Sequence, residues 1–295
     1  MSLILCLARK QYRATVLEHN RRIFVKLERQ LVSDWLLIGE KHLPGVCHTD
    51  VCVAALEEYL LIYDGSSDVL FVLDTKLNLI TCLRRALQLD LTKASSIRYK
   101  SFFLLTEGRR LVILYEKFHK KHNMTYRCVV QGEFVYISTT NSTILLESCI
   151  TAPCLTFQSY DEVEIHNYGK IRGAALCNGI IYALIKELLA PKYSLAVYFT
   201  FKSTETTASN WNIILRNVGL MHFFAYKHQL FALEFDAYNS VIYRFFPGQP
   251  YKIQYICTKT PLQMEKRESN IYANKGFIYT DSNKLLLRLN KFIFV

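Results

Sequence analysis

Short apolar runs of five to eight residues, each closed by a polar turn, recur from one end of this 295-residue chain to the other. Runs of that length, rich in Ile, Val, Leu, Tyr and Phe, suit pleated strands and are too short for most helices. The clearest instance is Ala174-Ala175-Leu176-Cys177-Asn178-Gly179-Ile180-Ile181-Tyr182-Ala183-Leu184, where two apolar runs flank one Asn-Gly. Asn-Gly between apolar runs is the strongest short-range hairpin signal, because both turn positions need a positive φ that Asn and Gly accept readily. A near copy runs from Ser269 to Tyr279, again strand, turn with Gly276, apolar pair and Tyr.

Taken in order, the first third of the chain predicts strands at 3–7, 12–18, 23–27 and 34–38, then at 51–56, 59–63, 69–73 and 79–83. The middle predicts 97–99, 102–105, 111–115, 126–130, 134–137, 144–146 and 155–157. The remainder predicts three groups of four: 174–177, 180–185, 195–201 and 211–215; 220–226, 230–235, 241–246 and 251–257; 270–273, 277–280, 285–289 and 292–295. Segments 83–94 and 160–170 have helical or loop character. Turns between the first two strands of each group fall near residues 20, 57, 100, 132, 179, 228 and 276. A four-strand meander that repeats every 40 to 50 residues is the signature of a β-propeller. A small sheet with two apolar faces cannot bury them alone, so such units stack on one another. The expectation is an all-β chain, a β-propeller of six or seven four-stranded blades in a single domain over 1–295, with the strand at 3–7 closing the last blade.

Composition bounds the function. At 51% apolar residues, with 19 Tyr and 18 Phe, the chain has the make-up of a globular, strand-rich protein. No apolar run approaches the roughly 18 residues that span a bilayer as a helix. The apolar run at the N-terminus is shorter than a signal-peptide core and lacks a basic region ahead of it. The nine cysteines are odd in number and set mostly inside apolar runs, where a free thiol acts as a small hydrophobe, so an intracellular location is expected, in cytoplasm or nucleus. The sequons at Asn123 and Asn141 then carry no weight. A formal charge of +11 makes an acidic partner worth weighing against a merely solvated basic surface.

The unit 174–215 resembles the kelch repeat in order and content: a small apolar strand, the Asn178-Gly179 turn, an apolar strand carrying Tyr182, then Leu195-Ala196-Val197-Tyr198 and, after a polar loop, Trp211. The double glycine that a kelch blade sets after its second strand is replaced by Ala183 and Leu184, and no Gly-Gly pair occurs anywhere. What the resemblance implies is a kelch-like propeller that docks another protein through loops at one end.

Motif chemistry is sparse. No phosphate-cradling glycine loop, zinc-protease motif, nucleophile elbow or dinucleotide fingerprint is present, and Ser, His and Asp show no arrangement that marks a triad. The expectation is a protein that is not an enzyme and uses no cofactor. Cys47-His48 with Cys52 lacks a second pair of ligands at matching spacing, and His119 and His122 stand among lysines that would repel a cation, so no metal site is expected. The basic pairs and the loop after Tyr115 form the candidate partner-binding surface: Arg109 and Arg110 in a turn between the second and third strands of a blade, and Lys117, Lys120 and Lys121 in a basic loop. Protein is the favoured partner. Aromatics interleaved with basic residues also occur in proteins that bind single strands, so nucleic acid or another anion stands as the alternative.

Overall fold

The Asn178-Gly179 turn forms as its residues require, with φ of 51° and 69°, and it joins Cys177 to its ladder partner Ile180. The computed structural model describes residues 2–7, 10–19, 22–31, 34–44, 51–138, 151–165, 169–187, 191–200, 211–226, 229–235, 240–247, 249–257, 271–274, 277–280 and 285–288. The expectations at Cys47-His48, at the turns near 20, 228 and 276, and at the strands 144–146 and 292–295 fall outside these residues.

The described chain is a succession of antiparallel meanders. The first sheet has β1 (Ser2–Leu7), β2 (Lys10–His19), β3 (Arg22–Gln30) and β4 (Trp35–Leu43) side by side in chain order. The second has β5 (Val51–Leu56), β6 (Tyr59–Asp64), β7 (Val69–Leu73) and β8 (Leu79–Arg84). The third has β9 (Ile97–Glu107), β10 (Arg110–His119), β11 (Met124–Ser138) and β12 (Thr151–Ile165). The fourth has β13 (Gly169–Cys177), β14 (Ile180–Glu187), β15 (Tyr193–Phe199) and β16 (Trp211–Val218). The fifth has β17 (Leu220–Tyr226), β18 (Gln229–Phe235), β19 (Ser240–Phe246) and β20 (Gln249–Cys257). Three strands of a sixth are described, β21 (Ile271–Asn274), β22 (Phe277–Thr280) and β23 (Leu285–Arg288). Helix is limited among the described residues to one 3₁₀ turn at Leu91–Lys93.

Contacts divide the chain into two units, 5–165 and 166–295, the second taking residues 2–4 as well. Within the first, β6 is buried along its whole length, as the middle strand of a sheet covered on both faces must be. Strand alternation assigns the faces: Leu61, Tyr63, Leu70 and Val72 of the second sheet join Phe102, Leu104, Leu111, Ile113 and Tyr115 of the third in one apolar cluster. Tyr63 and Tyr115 both lie against the Phe102 ring, at 5.4 and 5.3 Å between centroids. Within the second unit, Tyr182, Leu184, Leu195 and Val197 of the fourth sheet likewise meet Leu230, Ala232 and Phe245 of the fifth. In both units the first strand of one sheet runs beside the first strand of the next: β5 beside β9, β13 beside β17, β17 beside β21. Sheets that meet at their first strands and enclose apolar wedges between their faces are packed as blades are packed.

The middle of the chain differs from its sequence reading. Residues 97–105 form one strand through Lys100, and Gln131-Gly132 lies inside β11. Both irregularities are real, but they are bulges: the β9–β10 register slips between Leu114 and Glu116, where Ser101 has φ 56°, and the β11–β12 register slips between Gln131 and Gly132. A bulge kinks a strand without reversing it, so the two groups expected between 97 and 157 are one sheet of long strands. Segment 160–165 belongs to β12 and is not helical. It is the edge strand of its sheet, where charges such as Glu162 are tolerated because one side of the strand faces no ladder partner.

Candidate functional site

At the end of the second and third sheets where second strands turn into third strands, three segments gather around a cavity of about 380 Å³. Gly65 and Ser66 come from the β6–β7 turn; Asp90, Leu91, Ala94, Ile97, Arg98 and Tyr99 come from one run, the connector that follows β8 and the start of β9 into which it leads; and Lys120 comes from the β10–β11 turn. That volume lies in the range of sites that hold a small molecule or a side chain of a partner.

Buried carboxylates fix its walls. Asp64 is fully buried and accepts from the Ser66 amide at 3.0 Å, the Ser66 hydroxyl at 2.6 Å and the Ser67 hydroxyl at 2.5 Å, a local turn network of the kind that Asp and Ser supply. Asp68, 1% exposed, accepts from the Tyr63 hydroxyl at 2.9 Å and from the backbone N–H groups of Leu87 at 2.8 Å and Leu89 at 2.9 Å. One side chain thus pins the start of the connector to the β6–β7 turn. Burial, followed by the charge of Asp68, pushes the Tyr63 hydroxyl far above its ordinary value of 10.0, so it remains a donor at any ordinary pH.

The polar groups facing the cavity are unequal in charge. The Lys93 ammonium 2.7 Å away and the Thr92 hydroxyl hold the Asp90 carboxyl below its ordinary 3.8, so this wall is an ion pair and contributes no net charge. Lys120 donates from Nζ to the Ala94 carbonyl at 2.9 Å, and its own N–H reaches the Ser96 carbonyl at 2.9 Å. A carbonyl positions an ammonium without neutralising it. Arg98 is exposed, and its guanidinium has no hydrogen bond or ion pair among the described residues. The Tyr99 hydroxyl accepts the Asp90 N–H at 3.3 Å, which leaves its own proton to donate, and burial pushes its pKa above the ordinary 10.0. The cavity therefore offers two uncompensated cations and one phenol donor.

The structure does not bring the expected basic residues together. Arg109 lies in the two-residue turn joining Glu107 to Arg110, between the first and second strands of the third sheet, not the second and third. The difference follows from the continuity of β9. Its guanidinium lies 3.7 Å from Glu57 in the neighbouring first-to-second turn, an exposed pair worth little. Lys120 and Lys121 occupy the turn at the other end of β10, about 30 Å away at 3.3 Å per residue. Lys117 is not in a loop. It sits inside β10, 19% exposed, with Nζ at 3.0 and 3.1 Å from the two Glu162 oxygens. His119 packs edge-on to Tyr126 at 5.4 Å, and His122 is exposed in the turn. Arg98 and Tyr99, which the sequence reading did not select, reach the cavity because they open β9 directly beside Lys120. Their only sequence signal is a cation next to an aromatic at a strand start.

No helix among the described residues is long and apolar enough to cross a membrane as a helix. Cys52, Cys82, Cys128 and Cys177 are not joined in disulfides, and burial pushes the Cys82 thiol above its ordinary value.

No family model matches the chain, and no curated protein matches it. Among solved structures it is similar to the acylaminoacyl peptidase of Pyrococcus horikoshii, with a TM-score of 0.45 and 8% identity over 95% of this chain and 42% of that one. It is similar to the Dos1 propeller, with a TM-score of 0.41 and 13% identity over 91% of this chain and 63% of that one. It is also similar to the β-propeller domain of the Trilobed protease from Pyrococcus furiosus, with a TM-score of 0.38 and 8% identity over 96% and 90%. The chain thus spans under half the length of the peptidase. The expectation that the chain is not an enzyme is withdrawn, since a peptidase and the propeller domain of a protease stand among the structures it is similar to. The sequence argument behind that expectation was motif absence, and catalytic groups are recognised by geometry across distant residues, which motif spacing does not reveal. What the described residues establish is an all-β chain of antiparallel sheets, five of them four-stranded, with propeller structures among its likenesses.

Proposed function

We propose that the sheets are blades of a kelch-like β-propeller and that the chain is a docking module, holding an acidic segment of a protein partner at the cavity end of the second and third sheets. The observation that carries this reading is the convergence of Arg98, Lys120 and Tyr99 on one cavity whose walls are fixed from beneath by Asp64 and Asp68. Loops set on a rigid scaffold are where binding residues concentrate, and here three chain segments that are distant in sequence meet at one sheet end. Charge agrees, since the chain carries +11 and the cavity walls carry an excess of cations. Lys117 takes a supporting part: paired with Glu162, it holds β10 to the edge strand below the Lys120-Lys121 turn.

The test is affinity purification from native extract after nuclease treatment, with three baits: the unaltered chain, a chain with Lys120→Glu and Lys121→Glu, and one with Arg109→Glu and Arg110→Glu. A protein recovered with the first and third baits and lost with the second supports the assignment. Loss with the third bait alone moves the site to the opposite sheet end, and recovery of nucleic acid as the sole enriched species contradicts a protein partner.

A further inference from the structure

We infer that the cavity walled by Gly65, Ser66, Arg98, Tyr99 and Lys120 binds a phosphomonoester, presented by a phosphorylated side chain of the docked partner; this rests on the docking reading above. Three donors line one cavity from two segments, Arg98 and Tyr99 at the start of β9 and Lys120 in the β10–β11 turn. The Arg98 guanidinium supplies several N–H groups in a fixed fork, the Lys120 ammonium keeps two N–H groups after its bond to the Ala94 carbonyl, and the Tyr99 hydroxyl keeps its proton because its oxygen accepts from Asp90 N–H. A planar carboxylate has two oxygens and one charge. A phosphomonoester has three terminal oxygens and close to two charges at neutral pH, matching three donors and two cations. Of the carboxylates close by, Asp90 is paired with Lys93, and the buried Asp64 accepts from the Ser66 and Ser67 hydroxyls. About 380 Å³ admits a phosphorylated side chain with its neighbouring backbone.

The experiment is a ³¹P NMR titration of the intact chain into a short Gly-flanked phosphoserine peptide, with inorganic phosphate, the peptide carrying Asp at the same place and a single-stranded oligonucleotide as competitors. The expected result is saturable binding that strengthens as pH rises through about 6, where the second phosphate proton leaves. Arg98→Gln and Lys120→Gln each weaken it by roughly tenfold, as expected for losing a charge-assisted bond. Tyr99→Phe, which keeps the ring, weakens it by roughly fivefold, and Arg109→Gln leaves it unchanged. Arg98 and Lys120 are exposed, so these variants fold. Equal displacement by the Asp peptide overturns the phosphate assignment. Displacement by inorganic phosphate at the same concentration as the phosphopeptide overturns the partner as its source, and displacement by the oligonucleotide at that concentration overturns a protein ligand. No binding of the phosphopeptide, together with continued capture of a partner that Lys120→Glu and Lys121→Glu abolish, removes this inference alone and leaves the docking end in place.

Discussion

Gly65 lies under the ring of Phe102 so closely that a methyl group at position 65 would stand 2.4 Å from Cε2 and 2.5 Å from Cδ2. The ring has no room to retreat, because Phe102 is 8% exposed and is held between Tyr63 and Tyr115. Gly65→Ala is therefore expected to destabilise the first unit by about 1–3 kcal/mol through overpacking. Urea denaturation followed by Tyr fluorescence measures it, and a variant as stable as the unaltered chain would show that the turn can shift away from the ring.

Asp68 holds two backbone amides and one phenol at once, so removing it orphans one buried and two part-buried donors. Asp68→Ala is expected to cost on the order of 3 kcal/mol, against about 1 kcal/mol for Tyr63→Phe, which removes a single bond. The double variant should cost less than the sum, since both changes remove the same bond. Additive losses would mean that Tyr63 and Asp68 act separately.

Glu28 gives the acid limb of stability. Burial disfavours its charge, but the hydrogen bonds and charges of Arg13 at 2.6 Å and Lys26 at 3.1 Å outweigh burial and hold its pKa below the ordinary 4.5. A carboxyl with a depressed folded-state pKa contributes stability that is present above 4.5 and is lost as pH falls through the lower folded value. Thermal melts of Glu28→Gln should show lower stability than the unaltered chain at neutral pH and a smaller further loss below pH 4.5. Parallel curves for the two proteins would contradict the pairing.

The Asn178-Gly179 turn is anchored from the fourth sheet's own third strand end, where Thr200 donates from its amide at 3.0 Å and its hydroxyl at 2.6 Å to the Gly179 carbonyl. Gly179→Ala puts a side chain at φ 69° and should cost about 1 kcal/mol; Thr200→Val should cost a similar amount by removing the hydroxyl bond. Equilibrium unfolding of the two variants checks both values.

The fold was legible wherever a turn was made by residues that must turn. Asn178-Gly179, Glu57-Glu58 and the polar run 64–68 all reverse the chain, and the strands around them agree with their apolar runs. Lys100-Ser101 and Gln131-Gly132 carry the same kind of local signal but kink their strands, because bulge and turn share a residue chemistry and differ only in what the partner strand does. Trp35 shows the same limit. It opens the fourth strand of the first sheet as Trp211 opens that of the fourth, yet its run read only as one more apolar stretch. The site was half legible. Lys120 and Lys121 stood out by charge, whereas Arg98 and Tyr99 gain their place from the β9–β10 ladder, which sets Arg98 against Phe118 and Tyr99 against Lys117.

The most direct measurement is hydrogen–deuterium exchange of the chain with and without its captured partner. Protection is predicted at the β6–β7 turn, at residues 85–99 and at the β10–β11 turn, the three segments that wall the cavity. Protection confined to Glu57-Glu58 and Gly108-Arg109, at the far end of the same sheets, would contradict the account.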